Sequence, residues 1–139
     1  MFRILIAAAA FLALTAPAFA APYKGVDLAV NSVSVKNVTT SGSMNRYEIT
    51  ATVTNVGTFS QGANALQSVD IYQGNDKLES KSVPPLQAGN SYTFSYVSTR
   101  ATDAGKGTTQ LRFQLNVTQP SLADSQASNM VNDSFTLTF

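Results

Sequence analysis

The chain has 139 residues, with nine basic and eight acidic side chains and neither cysteine nor histidine. That length suits one domain with one core, held by apolar packing and backbone ladders rather than disulfides. The missing His and Cys exclude Ser-His-Asp triads, cysteine nucleophiles and the usual zinc sites, and the near-balanced charge, without a run of one sign, excludes the basic stripe that nucleic acid or an anionic membrane would require.

The first segment reads as a targeting signal. Arg3 supplies a positive start, Ile4 to Leu14 (ILIAAAAFLAL) is an uncharged apolar run, and Ala18-Phe19-Ala20 places small residues where a signal peptidase reads them. The run is too short for a hydrocarbon core, which takes roughly 20 apolar residues, and Pro17 breaks a helix before the cut. The expected division is therefore a cleavable signal peptide at 1–20 and a single domain at 21–139. The expected location is the periplasm or the extracellular space, with no stable membrane insertion after cleavage.

Beyond the leader, apolar and polar residues alternate. Odd positions are apolar from Tyr47 to Thr54 and again from Leu111 to Thr118, and Phe135-Thr136-Leu137-Thr138-Phe139 repeats the pattern. A period of two marks strands with one buried face. Less regular runs at Val26–Val35, Leu66–Tyr72, Lys77–Val83 and Ser91–Ser98 bring the predicted strands to seven. Turn residues fall between them: Ser41-Gly42-Ser43, Asn55-Val56-Gly57, Gly74-Asn75-Asp76, Pro84-Pro85, Ala88-Gly89-Asn90 and the 103–107 stretch. Short strands at this spacing predict a β-sandwich or small barrel. In the first run the apolar phase is even at Val26, Leu28 and Val30 and odd at Val33 and Val35. The slip near Asn31-Ser32 predicts a bulge, a change of sheet, or an exposed edge.

Taken in order, these segments resemble the CARDB family, the cell-adhesion-related domain found in bacteria. Val26 to Val30 is similar to its first strand. Thr50 to Thr58 (TATVTNVGT) is similar to its second strand and turn. Val83 to Gly89 (VPPLQAG) precedes an apolar strand at Tyr92 to Tyr96, and Ser125 to Asn132 is similar to the approach to the last strand. The resemblance implies a seven-stranded immunoglobulin-like β-sandwich and a non-catalytic role in binding or adhesion at the bacterial surface.

Without His or Cys, the chemistry left is that of carboxylates, a Ser-Lys pair or calcium. Ser80, Lys81 and Ser82 are chain neighbours, and neighbours on a strand point to opposite faces. Asp103 with its following glycines, or Asp124 with Asn129, Asn132 and Asp133, offers some oxygens for calcium, which needs about six to eight. Neither stretch matches a known calcium loop, and Asn and Asp serve turns equally well. No catalytic, cofactor-binding or metal-binding residue is therefore assigned. The sequons at Asn37, Asn116 and Asn132 are what chance yields in a Thr- and Ser-rich chain. The terminal Phe139 resembles the ending of an outer-membrane barrel, but the runs are short for barrel strands and Trp is absent. The expected function is an exported module recognising a protein or a glycan. Phe59, in the 58–65 loop, and Tyr72, out of phase with Val69 and Ile71, are the candidate contact residues. The alternative is a homo-oligomeric structural subunit that polymerises through edge strands.

Overall fold

The computed structural model describes residues 25–105, 107–117 and 134–139, and among them there are seven strands and no helix. The strands are β1 (Leu28–Ser41), β2 (Met44–Asn55), β3 (Gln67–Gln73), β4 (Asp76–Val83), β5 (Ser91–Ala101), β6 (Gln110–Val117) and β7 (Ser134–Thr138). They form two antiparallel sheets, one in the order β1-β2-β5 and the other in the order β4-β3-β6-β7. Neither sheet closes on itself, so the fold is a sandwich rather than a barrel. Residues 1–20, the expected leader, and Asp124, Asn129, Asn132 and Asp133 lie outside the described residues.

The alternation sets the layers. Tyr47, Ile49, Ala51 and Val53 of β2 point inward against Val69 and Ile71 of β3 and Leu111, Phe113 and Leu115 of β6. The Phe113 ring meets Tyr96 edge-on at 6.3 Å. Burying each such side chain contributes about 1.5–3 kcal/mol, and this one cluster serves both sheets.

The phase slip in β1 is a bulge. Its register against β2 shifts between Val30 and Ser32, which lets Leu28, Val30 and Val33 all face the core despite their mixed parity. The strand stays with β2 and does not change sheets. A second shift, between Val35 and Asn37, carries β1 on to Ser41, six residues beyond the alternating run. The result is a long hairpin with β2. It closes through Gly42, whose φ of 57° suits the first position of a two-residue turn.

The loops divide between the two ends of the sandwich. At the first end are the start of β1, the β2–β3 loop (56–66) and the β4–β5 loop (84–90). At the second are the β1–β2 and β3–β4 turns and the β5–β6 connection.

Candidate functional site

At the first end, one amide ties three segments together. Asn55 continues the inward phase of β2 and is fully buried. Its Nδ2 donates to the Phe59 carbonyl (2.8 Å) and the Leu86 carbonyl (3.1 Å). Its Oδ1 accepts from the Gly57 N–H (3.1 Å) and the Asp27 N–H (3.3 Å). Its backbone N–H donates to the Asn90 carbonyl, and its carbonyl accepts from Gly89. All four side-chain bonding positions of a primary amide are thereby filled. Gly57 completes the clip, because a Cβ there would collide with the Gly25 carbonyl oxygen and lie 2.7 Å from the Asp27 nitrogen. The Gly25 carbonyl is also the acceptor for the Phe59 N–H. The Thr-Asn-Val-Gly stretch is thus a structural fastening.

A second pair of amides braces the same loop. Gln61 and Gln67 exchange hydrogen bonds, Nε2 to Oε1 in each direction, at 2.6 and 2.9 Å. Gln67 Nε2 also reaches the Pro84 carbonyl, and Gln61 Oε1 accepts from the Leu86 N–H at 2.8 Å. These buried amides fix the backbone of the 56–66 loop against the 84–90 loop.

The loop held in this way presents apolar side chains to solvent. Phe59 is 61% exposed and Leu66 60%, although their backbones border fully satisfied buried groups. Leu66 lines a concavity of about 700 Å³ with Ala63, Pro84, Pro85 and Tyr92. Phe59 therefore does not fold under the loop into the core. Tyr72 is elsewhere, on the outer face of the four-stranded sheet, half-buried with the Arg112 guanidinium 4.7 Å from its ring centroid. The structure does not bring Phe59 and Tyr72 together, and Leu66 is the residue that sequence reasoning missed. Its only signal was an apolar side chain just before a strand.

On that outer face lies an acid that sequence alternation marked only as polar. Asp70 is 2% exposed. It accepts from Ser80 Oγ (2.6 Å) and Asn116 Nδ2 (2.9 Å) and pairs with Lys77 Nζ (2.9 Å). Burial pushes its pKa up, but the hydrogen bonds from Ser80, Lys77 and Asn116, with the charge of Lys77, outweigh it and hold the carboxyl below the usual carboxylate value. Donors from β4 and β6 saturate it, so it is a cross-tie between strands with no free valence for a substrate. Ser80 is spent on Asp70, whereas Lys81 pairs with Glu79; they do not form a nucleophile–base couple. Among the described residues no three carboxylates converge on a point.

The CARDB family model matches residues 25–129. No curated protein and no solved structure matches the chain.

Proposed function

Since the chain belongs to the CARDB family, whose members are immunoglobulin-like bacterial domains without enzymatic activity, we propose that it is an exported, non-catalytic recognition module that grips a protein partner with its first loop end. The observation that carries this reading is the exposure of Phe59 and Leu66 on a backbone fixed by Asn55, Gln61 and Gln67. An exposed anchor on a rigid loop loses little entropy on binding, so more of its buried area is converted to affinity. Aromatic anchors of this kind dominate protein interfaces. A glycan surface is the lesser choice, because Phe59 and Leu66 offer no hydrogen bond to a hydroxyl.

The saturation of Asp70 and the separation of Ser80 from Lys81 support the absence of catalysis. The sequence pattern of 1–20, which reads as a leader, supports export to the periplasm or beyond. Polymerisation through edge strands is less favoured. Three of the four edges are blunted: β4 carries Lys77, Glu79 and Lys81, β1 is broken by two bulges, and β7 is five residues long, which leaves the eleven-residue β5 as the one regular edge. Charge, bulges and short length all blunt edge pairing.

Two measurements test this reading. The processed protein should begin at Ala21 by intact mass, and a product that keeps Met1 would remove the export claim. Purified envelope and extracellular proteins and a glycan array can be screened with the native chain and a Phe59→Ser/Leu66→Ser variant. A partner held by the native protein and released by the variant is the expected result. Identical binding profiles for the two proteins would place recognition elsewhere.

A further inference from the structure

The two sheets differ in width by one strand, and the difference falls beside β5. The three-stranded sheet has β5 at one edge, and the four-stranded sheet has β4 at one of its own. On the opposite flank of the sandwich β1 packs against β7 and β6. On this flank β4 therefore overhangs β5 by one strand, roughly 4.8 Å. Tyr92 of β5 and Ser80, Ser82 and Val83 of β4 line the concavity of about 700 Å³ that holds Leu66. The step between the two edges is thus open.

The backbone of β5 suits a neighbour on that side. It pairs with β2 from Ser91 to Ala101 without a register shift. Just beyond the two ends of that ladder, the Asn55 N–H donates to the Asn90 carbonyl and the Thr102 N–H to the Ser43 carbonyl. In an antiparallel ladder, successive residues turn their N–H and C=O groups alternately toward and away from the partner strand. The even residues of β5 therefore bond to β2, while Thr93, Ser95, Val97 and Thr99 turn theirs to the open edge. These four residues are exposed, and among the described residues no strand pairs with them on that side. From Ser91 to Thr99 the edge has no bulge, no proline and no charge, so it lacks every device that blunts the other three.

Side chains decide what fits there. Tyr92, Phe94 and Tyr96 turn inward and pack on the core. Glu79 and Lys81 of β4 lie near Tyr96 and neutralise each other. An added strand would set alternate side chains beside the three rings, where apolar residues match. Its other side chains would lie beside Thr93, Ser95, Val97 and Thr99, where β-branched and hydroxyl residues match. A charged residue would find no opposite charge on this edge. A two-fold axis pairing β5 with β5 of a second copy would drive each overhanging β4 into the other copy's four-stranded sheet. The step admits a single extended segment and not a second sandwich.

We infer that the β5 edge is a docking site for an extended, uncharged segment of another protein, which joins the three-stranded sheet as a fourth strand. Main-chain hydrogen bonds hold it, and the rings of Tyr92, Phe94 and Tyr96 set its phase. The inference does not rest on Phe59 gripping a partner.

The test uses the protein expressed from the full chain and purified as it is processed. The probes are two capped peptides of alternating valine and threonine, long enough to span Ser91 to Thr99. One is N-methylated at its valines and the other at its threonines, so each keeps a single pairing edge. Pairing through the threonine N–H groups of the first turns its valines toward the rings, whereas the second must turn its threonines inward. Amide hydrogen exchange and NMR titration are the readouts. The amides of Thr93, Ser95, Val97 and Thr99 should exchange quickly in the free protein and become protected by the valine-methylated peptide, with saturable shifts along β5. The threonine-methylated peptide should bind about tenfold or more weakly. Ser95→Pro removes one edge N–H and sets a ring on the edge without breaking a bond to β2, and should abolish binding. The peptide pair decides the question even where that variant fails to fold. No saturable shift, protection confined to other strands, equal binding of the two peptides, or unchanged binding by natively folded Ser95→Pro would each overturn the assignment. So would protection of these amides in the free protein that grows with concentration, which would give the edge to a second copy.

Discussion

Asn55 illustrates how much one side chain can carry when burial is complete. Replacing it with alanine would leave the Phe59 and Leu86 carbonyls and the Asp27 and Gly57 N–H groups without their partner. Each buried group so orphaned costs about 1–3 kcal/mol. With partial relaxation, Asn55→Ala should lower the stability by about 3 kcal/mol, read from the urea midpoint. Asn55→Asp should do no better, because a carboxylate would face two carbonyls. Gly57→Ala acts by a different route. Its Cβ would displace the Gly25 carbonyl and with it the Phe59 hydrogen bond, for about 1–3 kcal/mol. By contrast, Phe59→Ala and Leu66→Ala should shift stability by no more than about 0.5 kcal/mol, since neither side chain packs in the core. Asn55 reads as a turn residue in the sequence, whereas the fold makes it the last, inward residue of β2, in phase with Tyr47 through Val53. The exposure of Phe59 was not legible either. Its loop has no period, and an aromatic in such a loop goes in or out according to backbone fastenings that only the fold discloses.

Strands meet through side chains as well as backbone, and Asp70 is the main example. It joins β3 to β4 through Ser80 and Lys77 and to β6 through Asn116. Because its folded pKa is depressed, the stabilisation is fully present above the unfolded value of 3.8 and is lost as pH falls through the lower folded value. Urea midpoints measured from pH 7 down to pH 2 should therefore show an acid limb lying below pH 4. In Asp70→Asn that limb should shrink, with stability at pH 7 lower by about 1–3 kcal/mol. An unchanged limb would assign acid sensitivity to other carboxylates. The same scale shows where the pattern stopped being readable. The seven strands, their order and most of their bounds follow from alternation and turn residues. The outer half of β1, Lys36 to Ser41, has no alternation, because past the second bulge all its side chains are exposed. It is a strand only because β2 pairs with it. A strand specified by its neighbour leaves little mark on its own residues.

For the whole molecule, the two sheets share one core, and unfolding should be a single cooperative transition. With three of its four edges blunted, the sandwich should keep a mass in solution that does not change with concentration. Light scattering over a concentration series checks this, and growth into large species would restore the assembly reading. The architecture could be derived from the sequence because buried faces repeat along the chain. The open groove lined by Val35, Val38, Tyr47, Arg100 and Phe139 could not, since its walls come from β1, β2, β5 and the end of β7, and a juxtaposition of edges in two sheets has no local signature.

The long β1 and the short β7 have a mechanical consequence. The strands run in the same direction, so the described residues enter at one end of the sandwich and leave at the other. A load between Gly25 and Phe139 therefore pulls along the strands and loads their ladders in shear, with the hydrogen bonds of each ladder sharing the force. The β1–β2 ladder has twelve residue pairs and the β6–β7 ladder five. Under tension the shorter β6–β7 ladder should yield first, and the sandwich should open from its β7 edge while the Asn55 clip at the opposite end still holds.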